Sequence, residues 1–233
     1  MATIHELDRT KGLDLILHTP GGDAAATESL VDYLRAMFGQ NIRAIVPQIA
    51  MSAGSMVACA CSEIKMGNHS SLGPIDPQMG GVAAHGIIEE FEPARRDIQA
   101  NPANIPLWQP IIAKYQPTLI GECYKAIAWS EEMVKQWLTT GMFAKHADRE
   151  DKADAVVREL GDHALTKSHA RHISLERAAR AGLTIVPLEA DPTFQDAVLS
   201  VHHACITTMG ETSIIKLIEN HSGVAFAQGF YPR

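Results

Sequence analysis

Two serines stand three residues apart in "IAMSAGSMVACACS", Ile49 to Ser62, where an apolar strand ends and a helix of small residues begins. Acyl transfer needs a hydroxyl presented at such a joint. It also needs backbone N–H groups aimed at the oxyanion that forms when the hydroxyl attacks a carbonyl. Ser55 follows Gly54, which permits a sharp turn, so Ser55 is the candidate nucleophile and the Met56 N–H one oxyanion donor. Pro20-Gly21-Gly22 closes an earlier apolar run, and Gly21 and Gly22 offer backbone unencumbered by side chains. The competing explanation is packing. Small residues are common at strand-to-helix turns, and spacing alone does not separate the two.

The elements that must position these groups read as an α/β pattern. "LDLIL" from Leu13 is a buried strand ended by Pro20-Gly21-Gly22. Ala24 to Gly39 is an amphipathic helix with Leu30, Tyr33, Leu34, Met37 and Phe38 as its apolar stripe. "NIRAIVPQIA" is a second buried strand, the serine segment a second helix and "SEIKMG" a third strand. Strand, helix, strand, helix, strand implies right-handed crossovers and a parallel sheet with helices on both faces. The carboxyl ends of adjacent parallel strands lie together, which lets the two candidate loops meet.

"NHSSLGPIDPQMGG" reads as a loop, and "EPARRDIQAN" and "LWQPIIAKY" as short segments. Pro117 to Thr140 reads as a long helix, and "ADREDKADAVVREL" as an amphipathic one. "SLERAARAGL" carries Ser174 and Glu176 in a first turn and closes on Gly182 before the strand "TIVPL". Asp191 to Asn220 reads as helix, interrupted near Gly210. The expected organisation is one domain over residues 1–233. A βα core that carries the nucleophile fills about residues 1–80, and a helical remainder with a late strand fills about 81–233.

With 233 residues, 46% hydrophobic and 20% charged, the chain can build a sizeable core. A net charge of −7 argues against nucleic acid or an anionic membrane as main partner. No apolar run is long enough to span a bilayer. "MATIHELDRTKG" lacks a basic stretch followed by an apolar one, so the cytoplasm is the expected compartment. Cys59 and Cys61 point about 200° apart on a helix and read as core residues. No spaced Cys/His set suggests a metal and no phosphate-binding loop suggests nucleotide hydrolysis, so no cofactor is expected.

Taken in order, "LHTPGGD", an amphipathic helix, a strand and "MSAGSMVA" resemble the superfamily of the Clp protease proteolytic subunit and signal peptide peptidase A. Those proteins pair an "SPGG"-like oxyanion loop with a serine in an "AASMGA"-like turn. The serine dehydrogenase proteinases are the most similar group, with "HTPGG", "SAGS" and "LGPIDPQ" elements; this chain reads "SLGPIDPQ" at Ser71 to Gln78. The resemblance runs from about Leu13 to Pro187 and implies the ClpP/crotonase fold and a serine peptidase. It places Ser55 at the nucleophile, Gly21, Gly22 and Met56 at the oxyanion site, and Ser52 in support of the turn.

The general base stays open. The Clp subunit carries a histidine where this chain reads "GPIDP", with Asp76. One substitute is a lysine on the following long helix, Lys125 in "ECYKAIAWS", which needs desolvation to act as a base. Its bland alternative is a solvated pair with Glu122. The other is His169, with His172 as a close rival, oriented by Asp76. The resemblance further implies a peptide or protein substrate and a homo-oligomer, with a separate unfoldase for any ATP dependence. "PLWQPIIAKY" offers Leu107, Trp108, Ile111 and Ile112 to an interface, a lid or the core. Two other functions fit the same pattern: a crotonase-type acyl-CoA enzyme, which would not need Ser55, and an inactive assembly protein.

Overall fold

The structure is a computed structural model that describes residues 2–161 and 171–230. Its centre is a four-stranded parallel sheet of β1 (Leu13–Ile16), β2 (Ile42–Val46), β4 (Glu63–Met66) and β9 (Ile185–Pro187), in the order β1-β2-β4-β9. The register aligns Leu15, Ala44, Ile64 and Ile185 in one row across the sheet, and all four face the main core. The next row, Ile16, Ile45, Lys65 and Val186, points to the other side, as a period of two requires.

The main core is closed by α1 (Ala24–Phe38), α2 (Ala53–Cys59), α5 (Leu119–Thr140) and α6 (Arg149–Gly161). α1 starts where the Asp23 carboxylate accepts from the Ala26 N–H, and stops at Gly39, whose positive φ of 62° favours glycine. Its buried stripe is Thr27, Val31, Leu34 and Phe38. The expected Leu30 is exposed and Tyr33 only half-buried, because the stripe is rotated toward the small residue Thr27. α2 is buried along its whole length, which explains why it is built of Ala, Gly, Ser, Val and Cys. Cys59 and Cys61 are core residues, with burial pushing both thiols up to about 12, so they stay protonated.

A satellite layer holds α3 (Ala84–Ala100) against the start of α5 through Ala84, Ile87, Cys123 and partly buried neighbours. The short α4 (Ile105–Ile112) follows, with no buried residue; Leu107 is 67% exposed, and the Trp108 indole N–H donates to Asp97. α7 (Leu175–Ala181) begins at the Ser174 cap and ends at left-handed Gly182, as the sequence indicates. α8 (Pro192–Glu211) lies on the opposite face of the sheet, where Ile45, Leu188 and Val198 form a small second core.

Three segments differ from their sequence reading. The loop around residues 67–81 contains β5 (Ser71–Leu72), which pairs with β3 (Ile49–Ala50) and β8 (Ile173–Ser174), and half of a small hairpin of β6 (Gln78–Met79) and β7 (Val82–Ala83). The stretch from Ala84 to Ala100 is one long helix. The last predicted helix runs through Gly210 but stops at Glu211, and a hairpin of β10 (Ile214–Glu219) and β11 (Ala225–Gly229) follows. Ile214, Ile215, Leu217 and Ile218 are a β-branched and aliphatic cluster that suits a strand more than a helix. Among the described residues, no helix is long and apolar enough to cross a membrane.

Ile64 is fully buried between Ala44 and Ile185, so Ile64→Ala should cost about 2–5 kcal/mol. Leu107→Ala should stay within about 0.5 kcal/mol. Urea midpoints of the two variants check the contrast.

Candidate active site

The two loops meet because β1 and β3 reach the same edge. Beyond β1, the Thr19 N–H donates to the Ile49 carbonyl (3.1 Å), and the Met51 N–H donates to the Thr19 carbonyl (3.0 Å). This parallel bridge lays Pro20-Gly21-Gly22 against the turn that enters α2. Gly21 has φ +129°, and a Cβ there would fall 3.0 Å from Ser52 Cβ. Only glycine satisfies both the conformation and the close approach. The Thr19 hydroxyl accepts from the Gly21 N–H (3.1 Å) and lies 3.1 Å from the Gly21 carbonyl, folding the loop onto itself.

Ser52 occupies the turn with φ 51° and ψ −115°, the sole positive φ outside glycine among the described residues. Such a conformation costs on the order of 1–3 kcal/mol and persists only where the surroundings impose it. Those surroundings are visible. Gly54 passes so close to Thr19 that a Cβ would fall 2.5 Å from the Thr19 methyl. Although Ser52 precedes α2, its side chain makes no cap hydrogen bond, and its hydroxyl has no partner among the described residues. The hydroxyl is half-buried beside Gly21.

Ser55 stands in a different environment. It is 0% exposed. The Gly73 N–H donates to its Oγ (2.8 Å), and its own proton is shared between the carbonyls of Ala50 (2.7 Å) and Gly73 (2.8 Å). It therefore staples the Leu72–Pro74 strand end to the start of α2. The Met56 N–H, expected at the oxyanion, donates instead to the Ser52 carbonyl (3.1 Å), and the Gly21 N–H is taken by Thr19. The N–H groups of Gly22 and Ala53 donate to no acceptor among the described residues. Ala53 is the first helical residue, where an N–H lacks an intrahelical partner.

Residues 1–183 match a family described as ClpP-like SDH-type serine proteinase. The chain belongs to that family. Two proteins of Methanocaldococcus jannaschii are also similar to this SDH-type chain. One is "Uncharacterized protein MJ0137", 38% identical over 92 residues, which is 40% of this chain and 32% of that protein. The other is "Uncharacterized protein MJ1495", 42% identical over 79 residues, which is 34% of this chain and 27% of that protein. The matches thus span about a third of the length of these curated relatives. No solved structure matches.

Asp76 is 1% exposed and sits in the loop that leaves Gly73, one residue after the Ile75 N–H donates to the Leu160 carbonyl (2.9 Å). Gly73 in turn lies against Met51, next to Ser52: a Cβ on it would fall 3.1 Å from Met51 Cα. One loop thus links the Ser52 turn to Asp76. His169 lies outside the described residues. The residues that flank residues 162–170 both reach this loop: Gly161 lies beside Ile75, and Ile173 pairs with Leu72. His172 is exposed. Lys125 is 76% exposed and bonded to Glu122 (3.0 Å), which is the solvated helix pair rather than a desolvated base. Replacing Lys125 by alanine should leave stability within about 0.5 kcal/mol, which a thermal melt checks.

The sequence gives Ser52 a supporting place in the turn and gives Thr19 none. β3 ends at Ala50, so the turn itself falls on Ser52, and Ser55 lies in the second half of the first helical turn.

Proposed function

We propose that this chain is a serine peptidase of the ClpP/crotonase fold whose nucleophile is Ser52, with Ser55 as the buried staple behind it. The single observation that supports this most is the strained Ser52 turn, which presents a hydroxyl without a partner among the described residues beside the glycine loop. In this reading the Ser52 Oγ attacks the peptide carbonyl carbon. The tetrahedral oxyanion accepts from the N–H groups of Gly22 and Ala53, one from each loop, in place of the Gly21 and Met56 groups already engaged. A histidine takes the Ser52 proton and returns it to the leaving amine, and water then releases the acyl group by the reverse path. His169 oriented by Asp76 is the proposed base. The loop from Gly73 to Asp76 supports it, and the solvated position of Lys125 argues against the lysine scheme. The substrate is a peptide or protein segment. Assembly into a homo-oligomer and feeding by a separate unfoldase belong to the same proposal, as does a single domain for the chain.

A fluorophosphonate probe tests this reading directly. The folded protein should gain one adduct, and peptide mapping should place it on Ser52. An adduct on Ser55, or none on a protein that hydrolyses peptides, would sink the assignment.

A further inference from the structure

On the second face of the sheet α8 makes a small apolar contact. Among the described residues the buried hydrophobics of that cluster are Ile45, Leu188 and Val198, with Phe194 packed against them and Lys65 Nζ 5.3 Å from the Phe194 ring centre. Yet α8 also carries a buried histidine. His202 Nε2 lies 3.0 Å from Nδ1 of His18, the half-buried residue just before Thr19. The two rings are 4.9 Å apart, and His203 lies 5.7 Å from His202. The other nitrogen of His202, Nδ1, is buried with no hydrogen-bond partner among the described residues.

That geometry admits one good protonation state. The hydrogen bond needs one proton between His18 Nδ1 and His202 Nε2. With both rings neutral and the proton on His202 Nε2, His18 carries its proton on Nε2 and the buried Nδ1 of His202 stays bare. Every protonated state that keeps the bond puts a proton on His202 Nδ1, a buried donor with nothing to receive it. Every state that avoids this sets two N–H groups face to face. We propose that docking of α8 on the sheet is switched by proton uptake at the His18–His202 pair, the helix being held while both rings are neutral and released once the pair is charged.

The surroundings support no charged form. His69, from the loop after β4, and His203 add positive potential at His202. The other charged residues on that sheet face pair among themselves: Arg43 with Asp14 at 2.6 Å, and Lys65 with Glu63 at 3.7 Å. The Glu189 carboxylate, at the start of the connection to α8, accepts from the Asn68 N–H. Burial lowers the pKa of His202, with His18, His203 and His69 adding to it, and burial lowers that of His18. Because the docked pKa values lie below the ordinary 6.5, the undocked state binds more protons in the window below that value. Docking is therefore at full strength above about pH 6.5 and weakens as pH falls toward the depressed docked values. This inference does not depend on which serine is the nucleophile.

Amide hydrogen exchange reads the switch. Protection factors for residues 192–211 should fall by roughly tenfold or more between about pH 7.5 and about pH 5, while those of β2 hold steady. His18→Asn combined with His202→Gln places an amide pair where the rings met, able to keep one hydrogen bond without titrating. In that variant the pH dependence should vanish while protection at neutral pH persists. A wild-type helix equally protected at both pH values overturns the proposal, as does an unchanged fall in the double variant. If the double variant is undocked at every pH, NMR titration of the wild-type imidazoles decides. Support is a neutral His202 protonated on Nε2 that titrates below the ordinary range; titration at or above that range overturns the switch.

Discussion

Ser52→Ala should abolish peptide hydrolysis and fluorophosphonate labelling while leaving the fold intact. The hydroxyl removed makes no hydrogen bond among the described residues, so its loss breaks nothing that holds the protein together. Alanine at φ 51° meets the same steric cost as serine, since both carry a Cβ. The expected fall in kcat/KM is roughly four to six orders of magnitude, with the oxyanion donors and substrate binding left to supply the remainder. Ser55→Ala should do nearly the reverse. It leaves the Gly73 N–H buried without its acceptor, for a loss of about 1–3 kcal/mol of stability. The folded fraction should still label on Ser52. Parallel kinetics, labelling and urea unfolding of the two variants separate a nucleophile from a structural hydroxyl. Full activity in Ser52→Ala would end the assignment.

Gly54→Ala should damage both stability and activity through one contact. The new Cβ would fall 2.5 Å from the Thr19 methyl and 3.3 Å from Ala50 Cβ, well inside the ordinary carbon–carbon separation of about 3.5–4.0 Å. Thr19 cannot move aside cheaply. Its N–H and carbonyl are bonded to Ile49 and Met51, and its hydroxyl holds Gly21. The strain should cost about 1–3 kcal/mol. It would also push the Ser52 turn away from the glycine loop, and a displacement near 1 Å there should cost about a hundredfold in kcat/KM. Thr19→Ser removes the offending methyl but keeps the hydroxyl. Adding it to Gly54→Ala should restore most of both losses, giving a double-mutant coupling of at least about 1 kcal/mol. Without rescue, the contact between Thr19 and Gly54 is not what places the two loops.

Periodicity made most of the scaffold legible. The runs at Leu13, Ile42 and Glu63 became adjacent parallel strands, and the caps at Ser174, Gly39 and Gly182 stand where the residue types indicate. These features are local: each depends on residues within a turn or two of chain. The reading failed where a distant contact overrode a local one. The largest apolar residues of α1 include Leu30 and Tyr33, whereas the face that fits the sheet and α2 runs through Thr27, Val31, Leu34 and Phe38. The segment from Ile214 is expected to continue the last helix, whereas it pairs antiparallel with Ala225–Gly229 as a strand.

The site divides in the same way. By itself the sequence determined that a glycine loop and a serine turn stand at the ends of neighbouring parallel strands, in the order shared by ClpP-like SDH-type proteinases. It named both serines, Ser55 as the nucleophile and Ser52 in support of the turn. Only the tertiary structure distinguishes the surroundings of the two hydroxyls. Gly73, 18 residues beyond Ser55, turns its N–H onto that hydroxyl and buries it, while Thr19 and Gly21 press the chain at Ser52 into a conformation that leaves its hydroxyl without a partner among the described residues. Availability of a hydroxyl is set by which distant backbone groups arrive beside it, and that depends on strand pairing rather than on neighbours in sequence.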